Sequence, residues 1–119
     1  MKTLRMERLL KKNPVQVNRV EIGFCDVAFV AKALADENRL RIILSLTQGK
    51  KSVSRIVEEL GISQPLASHH LKELKRTLLV TVERSGPFIY YELADHRIAA
   101  ILTDLDGLAT DLLANRTTF

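Results

Sequence analysis

The sequence predicts a mainly α-helical fold with one small β-hairpin, and three features support this. Several segments carry apolar residues every three or four positions, which is the spacing of amphipathic helices. The segment 80–91 is rich in valine, isoleucine and tyrosine and is interrupted at Ser85 to Pro87, as in two strands joined by a turn. The segment 95–114 carries an a/d-like stripe of isoleucine and leucine, which is typical of a final amphipathic helix.

The composition is that of one soluble domain. The chain has 119 residues, of which 46% are hydrophobic and 27% are charged. No apolar run approaches the roughly 18 residues that a membrane span needs. The basic N-terminus is not followed by the features of a secretory signal. Cys25 is the only cysteine, so an intrachain disulfide is excluded, and we expect a cytoplasmic protein.

Positive charge is concentrated in the first and middle parts of the chain. The net charge is +4, and residues 1–23 hold six Lys/Arg against two Asp/Glu. Residues 24–94 hold ten against eight, and residues 95–119 hold two against four. This distribution is expected for a nucleic-acid partner, although many basic proteins bind no nucleic acid.

Residues 1–23 are predicted to be a basic extension that precedes the folded domain. A helix over 2–12 would end at Asn13, because a residue before proline is pushed out of the helical region. A linker then reaches Gly23. We therefore place the domain at 24–114 and a short tail at 115–119.

Five helices are expected within this domain. Asp36 or Asn38 can cap the second helix, and Ser52 and Ser63 can cap the third and fourth. Gly61 permits the left-handed conformation that ends a helix. The helices are expected over 24–35, from Asp36 or Asn38 to about 48, and over 52–60, 63–76 and 95–114.

Two short helices joined by a glycine-containing turn and followed by a hairpin predict a winged helix-turn-helix. In this motif the second helix lies in the DNA major groove, with its N-terminal residues near base edges. In "SQPLASHHLKEL", Ala67, Leu71 and Leu74 share one face of that helix. The other face is polar, which also fits an ordinary solvated surface, but the turn, cap and hairpin favour DNA. The predicted contacts are Gln64, Ser68 and His69 to base edges, and Lys72, Lys75 and Arg76 to phosphates.

The two adjacent histidines are assigned different roles. Neighbours on a helix point about 100° apart, so His69 and His70 cannot jointly hold a metal ion. His69 shares the outward face and is interpreted as a DNA contact. His70 falls nearer the packed side and is interpreted as a hydrogen-bonded structural residue, with a DNA contact as the alternative.

Three segments, "DENRLRIILSL", "ELGISQPLASHHLKELKRTLLV" and "ERSGPFIYYEL", resemble the ArsR-type family of winged-helix repressors. The resemblance covers roughly Phe24 to Leu112. It implies a dimeric, cytoplasmic, promoter-binding repressor that leaves DNA when an inducer binds. It also places Gln64, Ser68 and His69 on the recognition helix and Arg84 in the wing.

The sequence departs from the family pattern after the recognition helix and in the wing. Many members have glycine where Leu78 stands. Because a leucine at positive φ is strained, we expect the helix end to be remodelled here. Members often carry Lys or Arg where this chain has Pro87, so wing contacts to phosphate should rest mainly on Arg84.

The family's metal-binding positions carry unsuitable residues. A Cys-x-Cys pair would fall on Ser52 and Ser54, and serine is a poor ligand for soft metals. On the last helix, Arg97 would repel a cation and Leu108 cannot bind one, although Asp95 and Asp111 are present. The sequence therefore predicts no metal at these positions and no cofactor.

A metal site of another kind stays open as an alternative. It would use Cys25, His96 and carboxylates across a dimer. Cys25 is more often a small buried apolar residue. An intersubunit disulfide through it also stays open.

We expect a homodimer with helices 24–35 and 95–114 at its interface, bound to a pseudo-palindromic operator on double-stranded DNA. The alternative is a winged-helix module that binds a protein partner. No catalytic motif is present, so an enzyme is not predicted. The inducer and the operator sequence are left open. The predicted dimerisation residues are Val27, Val30, Leu34, Ile98, Ile101, Leu105, Leu108 and Leu112.

Overall fold

The computed structural model describes residues 21–116. The described residues belong to two units, with the boundary between Ala31 and Lys32. The helix predicted over 2–12 and the end of the tail lie outside the described residues. Within 21–116, no helix is long and apolar enough to cross a membrane.

The five predicted helices and the predicted hairpin are all present, with ends within about two residues of the predicted ones. Together with a short additional strand they form a winged helix-turn-helix. The elements in chain order are α1 Phe24–Leu34, α2 Glu37–Leu46, β1 Lys51–Ser52, α3 Val53–Leu60, α4 Gln64–Arg76, β2 Val80–Ser85, β3 Phe88–Leu93 and α5 Arg97–Ala114.

Three helices begin at the predicted capping residues. Asp36, rather than Asn38, caps α2, and its carboxylate accepts a hydrogen bond of 3.0 Å from the backbone N–H of Arg39. The hydroxyls of Ser52 and Ser63 accept from the backbone three residues later in α3 and α4. Each cap satisfies a backbone donor that the helix itself leaves unpaired.

A third strand was not predicted. β1 pairs antiparallel with β3, and the sheet order is β1-β3-β2. Lys51 lies opposite Tyr91, and Ser52 lies opposite Tyr90. A two-residue strand has no periodicity of its own, so the sequence pattern gives no signal for it.

The hydrophobic core lies where α2, α3, α4 and the sheet meet. Ile42, Ile43, Ile56, Leu71 and Leu74 are fully buried there. The apolar positions of α4 thus anchor that helix, and its other faces remain available. The remaining buried apolar members are Ala33, Leu46, Leu79, Val80, Leu93 and Ile98.

The expected remodelling after α4 does not occur. Leu78 adopts φ 66°, in the left-handed region. The N–H of Leu79 bonds to the carbonyl of Leu74 at 2.9 Å, and that of Leu78 bonds to Lys75 at 3.0 Å. This pair of bonds is the Schellman arrangement, which normally places glycine at the left-handed position. The helix therefore ends in the usual way although leucine is strained at this position. Leu78 is 78% exposed.

The expectation that Cys25 is buried is wrong. Cys25 lies near the start of α1, where it is exposed and forms no disulfide. The neighbouring Phe24 and Val27 are also exposed, at 79% and 55%. This part of α1 therefore presents apolar and thiol groups rather than burying them.

Candidate nucleic-acid interface

Helix α4 is fixed in position by its buried face and by its N-terminal turn. Ala67, His70, Leu71 and Leu74 are buried. Pro65 stands in the first turn, where a missing N–H costs no helical hydrogen bond. The buried face therefore fixes the rotation of α4 about its own axis, and with it the direction in which the outward face points.

The outward face of α4 carries the polar groups expected to meet DNA. Gln64, His69, Lys72 and Lys75 are exposed, and Ser68 is half-buried. These residues lie along a single helix of 13 residues. Both lysines lack ion pairs with other residues of the described part of the chain. Their charges are thus available to phosphates.

Arg76 differs from the two lysines. Its Nη2 lies 3.0 Å from Oε2 of Glu73, one turn earlier on the same helix. This hydrogen bond lowers the pKa of the Glu73 carboxyl. A phosphate contact by Arg76 would require the guanidinium to share or give up this exposed partner.

Arg84 lies on the hairpin, separate in sequence from α4. It is exposed and stands opposite Ile89 in the strand register. Because side chains alternate along a strand, Arg84 shares its face with Val80 and Val82. Val80 is in the core with the leucines of α4. Arg84 thus extends the wing on the side of the sheet that faces α4.

His70 is the structural residue that was predicted. It is 5% exposed, and its Nδ1 lies 3.5 Å from Nη1 of Arg39. Its Nε2 lies 3.7 Å from Oδ1 of Asp36. The carboxyl pKa of Asp36 is lowered, first by the hydrogen bond from the Arg39 backbone N–H. The ring therefore connects α4 to the start of α2.

Sequence reasoning missed the role of Arg39. Its Nε donates to the carbonyl of Ala33 at 2.6 Å, and its Nη2 donates to that of Lys32 at 3.2 Å. These carbonyls belong to the last turn of α1, where the helix leaves carbonyls unpaired, although that of Lys32 also accepts from the N–H of Ala35 at 3.2 Å. The only sequence signal was that Arg39 lies in "DENRLRIILSL", a segment of the family pattern.

The two tyrosines of the hairpin face opposite sides of the sheet. Tyr91 packs against the core, whereas Tyr90 lies on the outer side. The Tyr90 ring is 6.3 Å from that of Phe88, which is 58% exposed. Lys50 lies over the Tyr90 ring at 5.5 Å and pairs with Glu83 at 2.8 Å.

The positions of the family metal sites are occupied by internal contacts. Ser52 and Ser54 have their hydroxyls 3.4 Å apart, and Ser52 also caps α3. Arg97 holds Asp95 with an Nη2–Oδ2 distance of 2.8 Å and lowers the pKa of that carboxyl to about 2. Between residues 21 and 116, no group of three or more His, Cys, Asp or Glu side chains could hold a metal ion.

The predicted dimerisation residues divide into exposed and buried sets. Ile98 is 8% exposed and belongs to the core, and Leu34 packs against that core. Neither side chain has much surface left to offer a partner. The others are exposed by 37% to 63%: Val27, Val30, Ile101, Leu105, Leu108 and Leu112.

The comparisons with known proteins agree with this geometry. Residues 36–82 match the family model described as "Bacterial regulatory protein, arsR family". The arsenical resistance operon repressor of Bacillus subtilis is 39% identical over 74 residues, which are 61% of this chain and 70% of that protein. The chain belongs to the ArsR family. This confirms the resemblance on which the sequence interpretation relied.

Other members of the ArsR family are similar over different lengths. The HTH-type transcriptional repressor SmtB of Mycobacterium tuberculosis is 45% identical over 73 residues, which are 61% of this chain and 54% of SmtB. The chain thus matches about half of the length of SmtB. The fragment 1–100 of Mb0332 from Mycobacterium bovis has a TM-score of 0.68 and 32% identity, covering 81% of this chain and 89% of the fragment. That fragment is described as a homodimeric winged helix-turn-helix DNA-binding domain.

Proposed function

We propose that this ArsR-family protein is a sequence-specific, DNA-binding transcriptional regulator that acts as a homodimeric repressor. One observation carries the proposal. Helix α4 is held by a buried apolar face while Gln64, Ser68 and His69 project from its N-terminal half. Lys72 and Lys75 follow without ion partners in the described chain.

The chemistry of these groups fits the major groove. An amide can pair bidentately with adenine, and hydroxyl and imidazole groups can donate to or accept from base edges. Ammonium groups bind phosphates and fix the register of the helix without reading sequence. In this proposal Gln64, Ser68 and His69 read bases, whereas Lys72, Lys75 and Arg84 hold the backbone. Arg76 contributes when its guanidinium shares or gives up its contact with Glu73 to bind a phosphate.

A homodimer follows from the apolar stripe of α5. Ile101, Leu108 and Leu112 are each more than half exposed, which is unusual for large apolar side chains of a monomer at this spacing. The homodimeric description of the Mb0332 fragment supports the same assembly. In the proposed dimer the two α4 helices lie about 34–36 Å apart, and the operator is therefore pseudo-palindromic.

The proposed regulation is repression that an inducer relieves. The SmtB protein and the arsenical operon protein are both named repressors. By analogy, we propose that this protein covers a promoter in the cytoplasm and leaves it when an inducer binds. The proposal includes no enzymatic activity.

The test is the salt dependence of binding to selected DNA. Duplexes are selected from a random library on the full-length protein, and their affinity is measured by fluorescence anisotropy. Counterion release should weaken binding by about 10³-fold or more between 50 mM and 200 mM salt. A winged-helix module that binds a protein would select no common sequence, and its partner affinity would change little with salt.

A further inference from the structure

A groove of about 770 Å³ lies between α2 and α5. Its walls are mainly apolar, and Glu37, Arg41 and Asp106 stand among its lining residues. The volume is within the range of small-molecule sites, which are typically apolar with a few polar groups. The apolar walls include Leu40, Leu44, Leu102, Leu105 and Ala109.

The groove borders the side of α5 proposed for dimerisation, because Leu105 belongs to that stripe and also lines the groove. At 100° per residue, Ile101, Leu108 and Leu112 cluster on one side of the helix. Leu102 and Ala109 cluster roughly 100° away and line the groove. A partner subunit that packs on the first side would reach the edge of the groove at Leu105 and leave the side of Leu102 and Ala109 open.

The three charged residues of the groove have no side-chain partners within the described part of the chain. Glu37, Arg41 and Asp106 make no hydrogen bond or ion pair through their side chains with any residue of 21–116. Two carboxylates against one guanidinium give the groove an excess of negative charge. A ligand with an apolar body and a cationic head would match both the walls and this charge.

Helix α2 connects the groove to the DNA-reading helix. Leu40 and Leu44 line the groove, whereas Ile42 and Ile43 are fully buried in the core shared with α4. On the same helix, Arg39 contacts His70 of α4. A displacement of α2 by a bound molecule would therefore be transmitted to α4.

We propose that the groove between α2 and α5 binds a largely apolar organic molecule with a protonated amine, and that this occupancy releases DNA. The release of DNA rests on the proposed repressor function, whereas the binding of the amine to the groove does not depend on it. The direct probe is a series with one apolar body and three heads: 4-phenylbutylamine, 4-phenylbutan-1-ol and 4-phenylbutyrate.

The binding experiment is an NMR titration of the full-length, ¹⁵N-labelled protein with each probe. Amide shifts are expected in α2 and α5 around the groove. The amine should bind about threefold to fivefold more tightly than the alcohol, which is the range of one exposed ion pair. The carboxylate should bind more weakly than the alcohol. Equal affinities for the three probes, or shifts away from the groove, would overturn the proposal.

Two sets of variants locate the site. Ala109→Phe fills the groove and should remove binding, whereas Thr110→Phe adds the same ring at an exposed neighbouring position that does not line it. The double variant Glu37→Gln with Asp106→Asn changes only exposed groups. It should abolish the preference for the amine while leaving the affinity for the alcohol unchanged. Retained amine preference in the double variant would contradict the charge assignment.

The final measurement adds the amine to the protein–DNA complex. Saturating 4-phenylbutylamine should weaken DNA binding at least tenfold for wild type and for Thr110→Phe, but not for Ala109→Phe. Amine binding without DNA release would overturn the regulatory half alone. If the protein binds no DNA, the proposed function fails while the titration still decides whether the groove binds the amine. Groove amides that respond only to protein dilution would show that a second copy covers the groove, and this also overturns the proposal.

Discussion

Arg39 of α2 and His70 of α4 meet with Nη1 and Nδ1 3.5 Å apart. A guanidinium can only donate, so Nδ1 accepts and the proton is assigned to Nε2, on the side of Asp36. The same guanidinium holds the carbonyls of Lys32 and Ala33 at the end of α1. One arginine thus connects the end of α1 and the start of α2 to the recognition helix.

Replacing Arg39 should destabilise the fold. Arg39→Met removes the side-chain donor of the Ala33 carbonyl and of the buried His70 imidazole, whereas the Lys32 carbonyl keeps the N–H of Ala35. We expect a loss of about 1–3 kcal/mol in the free energy of unfolding. Urea denaturation followed by circular dichroism measures this. Arg41→Met is the matched control, because Arg41 lies on the same helix without such contacts, and it should change stability by less than about 0.5 kcal/mol. Equal losses in the two variants would contradict the assigned role.

Replacing Leu78 with glycine should stabilise the fold. Its left-handed φ of 66° costs a leucine about 1 kcal/mol, and its side chain is mostly exposed. Leu78→Gly should therefore raise the free energy of unfolding by about 1 kcal/mol, because glycine adopts this conformation without steric cost. Leu78→Ala keeps a Cβ at positive φ and should give no such gain. Equal stability of the glycine and alanine variants would argue against strain at this position.

The free energy of unfolding should depend on pH in the acidic range because of the carboxylate of Glu59. Lys51 donates to it at 2.7 Å, and Ser45 and Arg55 also donate. The hydrogen bond from Lys51 is the main reason that the pKa of Glu59 falls from 4.5 to about 2. Because the pKa is lower in the folded state, the stabilisation is present above about pH 4.5 and is lost as the pH falls towards 2.

Glu59→Gln tests this dependence. The variant should be less stable than wild type at neutral pH, and the difference should shrink between pH 4.5 and 2. Thermal unfolding at a series of pH values measures both proteins. Asp95 titrates in the same range in both proteins and cancels in the comparison. A difference that does not vary with pH would show that charge on Glu59 is not the cause.

Two residues of α4 should respond differently to DNA sequence. Gln64→Ala should lose about 1–3 kcal/mol on the selected site and much less on random duplex. Lys72→Ala should weaken binding to both alike and reduce the slope of log affinity against log salt by about 1. Anisotropy titrations on both DNAs measure these effects. Equal losses on specific and random DNA for the Gln64 variant would remove its base-reading role.

The apolar stripe of α5 should hold the dimer. Leu108→Glu places a charge among Ile101 and Leu112, and burying it without a partner is costly. We expect a monomer in sedimentation-velocity experiments at concentrations where wild type is a dimer. Thr110→Glu adds the same charge on another side of α5 and should leave the dimer intact. A Leu108→Glu protein that remains dimeric would place the interface elsewhere.

The order and type of the helices could be read from the sequence. Asp36, Ser52 and Ser63 begin their helices because capping depends on neighbours within three residues of the chain. Gly61 ends α3 at φ 65° for an equally local reason. Helical periodicity predicted which residues of α4 are buried and which are polar and exposed. It also predicted that His69 is exposed and His70 is buried.

The tertiary structure decided contacts between residues distant in sequence. β1 exists only because Lys51 and Ser52 meet β3, and the position of His70 between Asp36 and Arg39 spans more than thirty residues. Ile98 lies on the same stripe as Ile101 but is buried, because α5 meets the core through Ile98 and Leu102 and not through the side that carries Ile101. Local patterns determine which faces are apolar. Which apolar face is covered by the chain itself, and which stays exposed, depends on how the helices pack, and no local pattern contains that information.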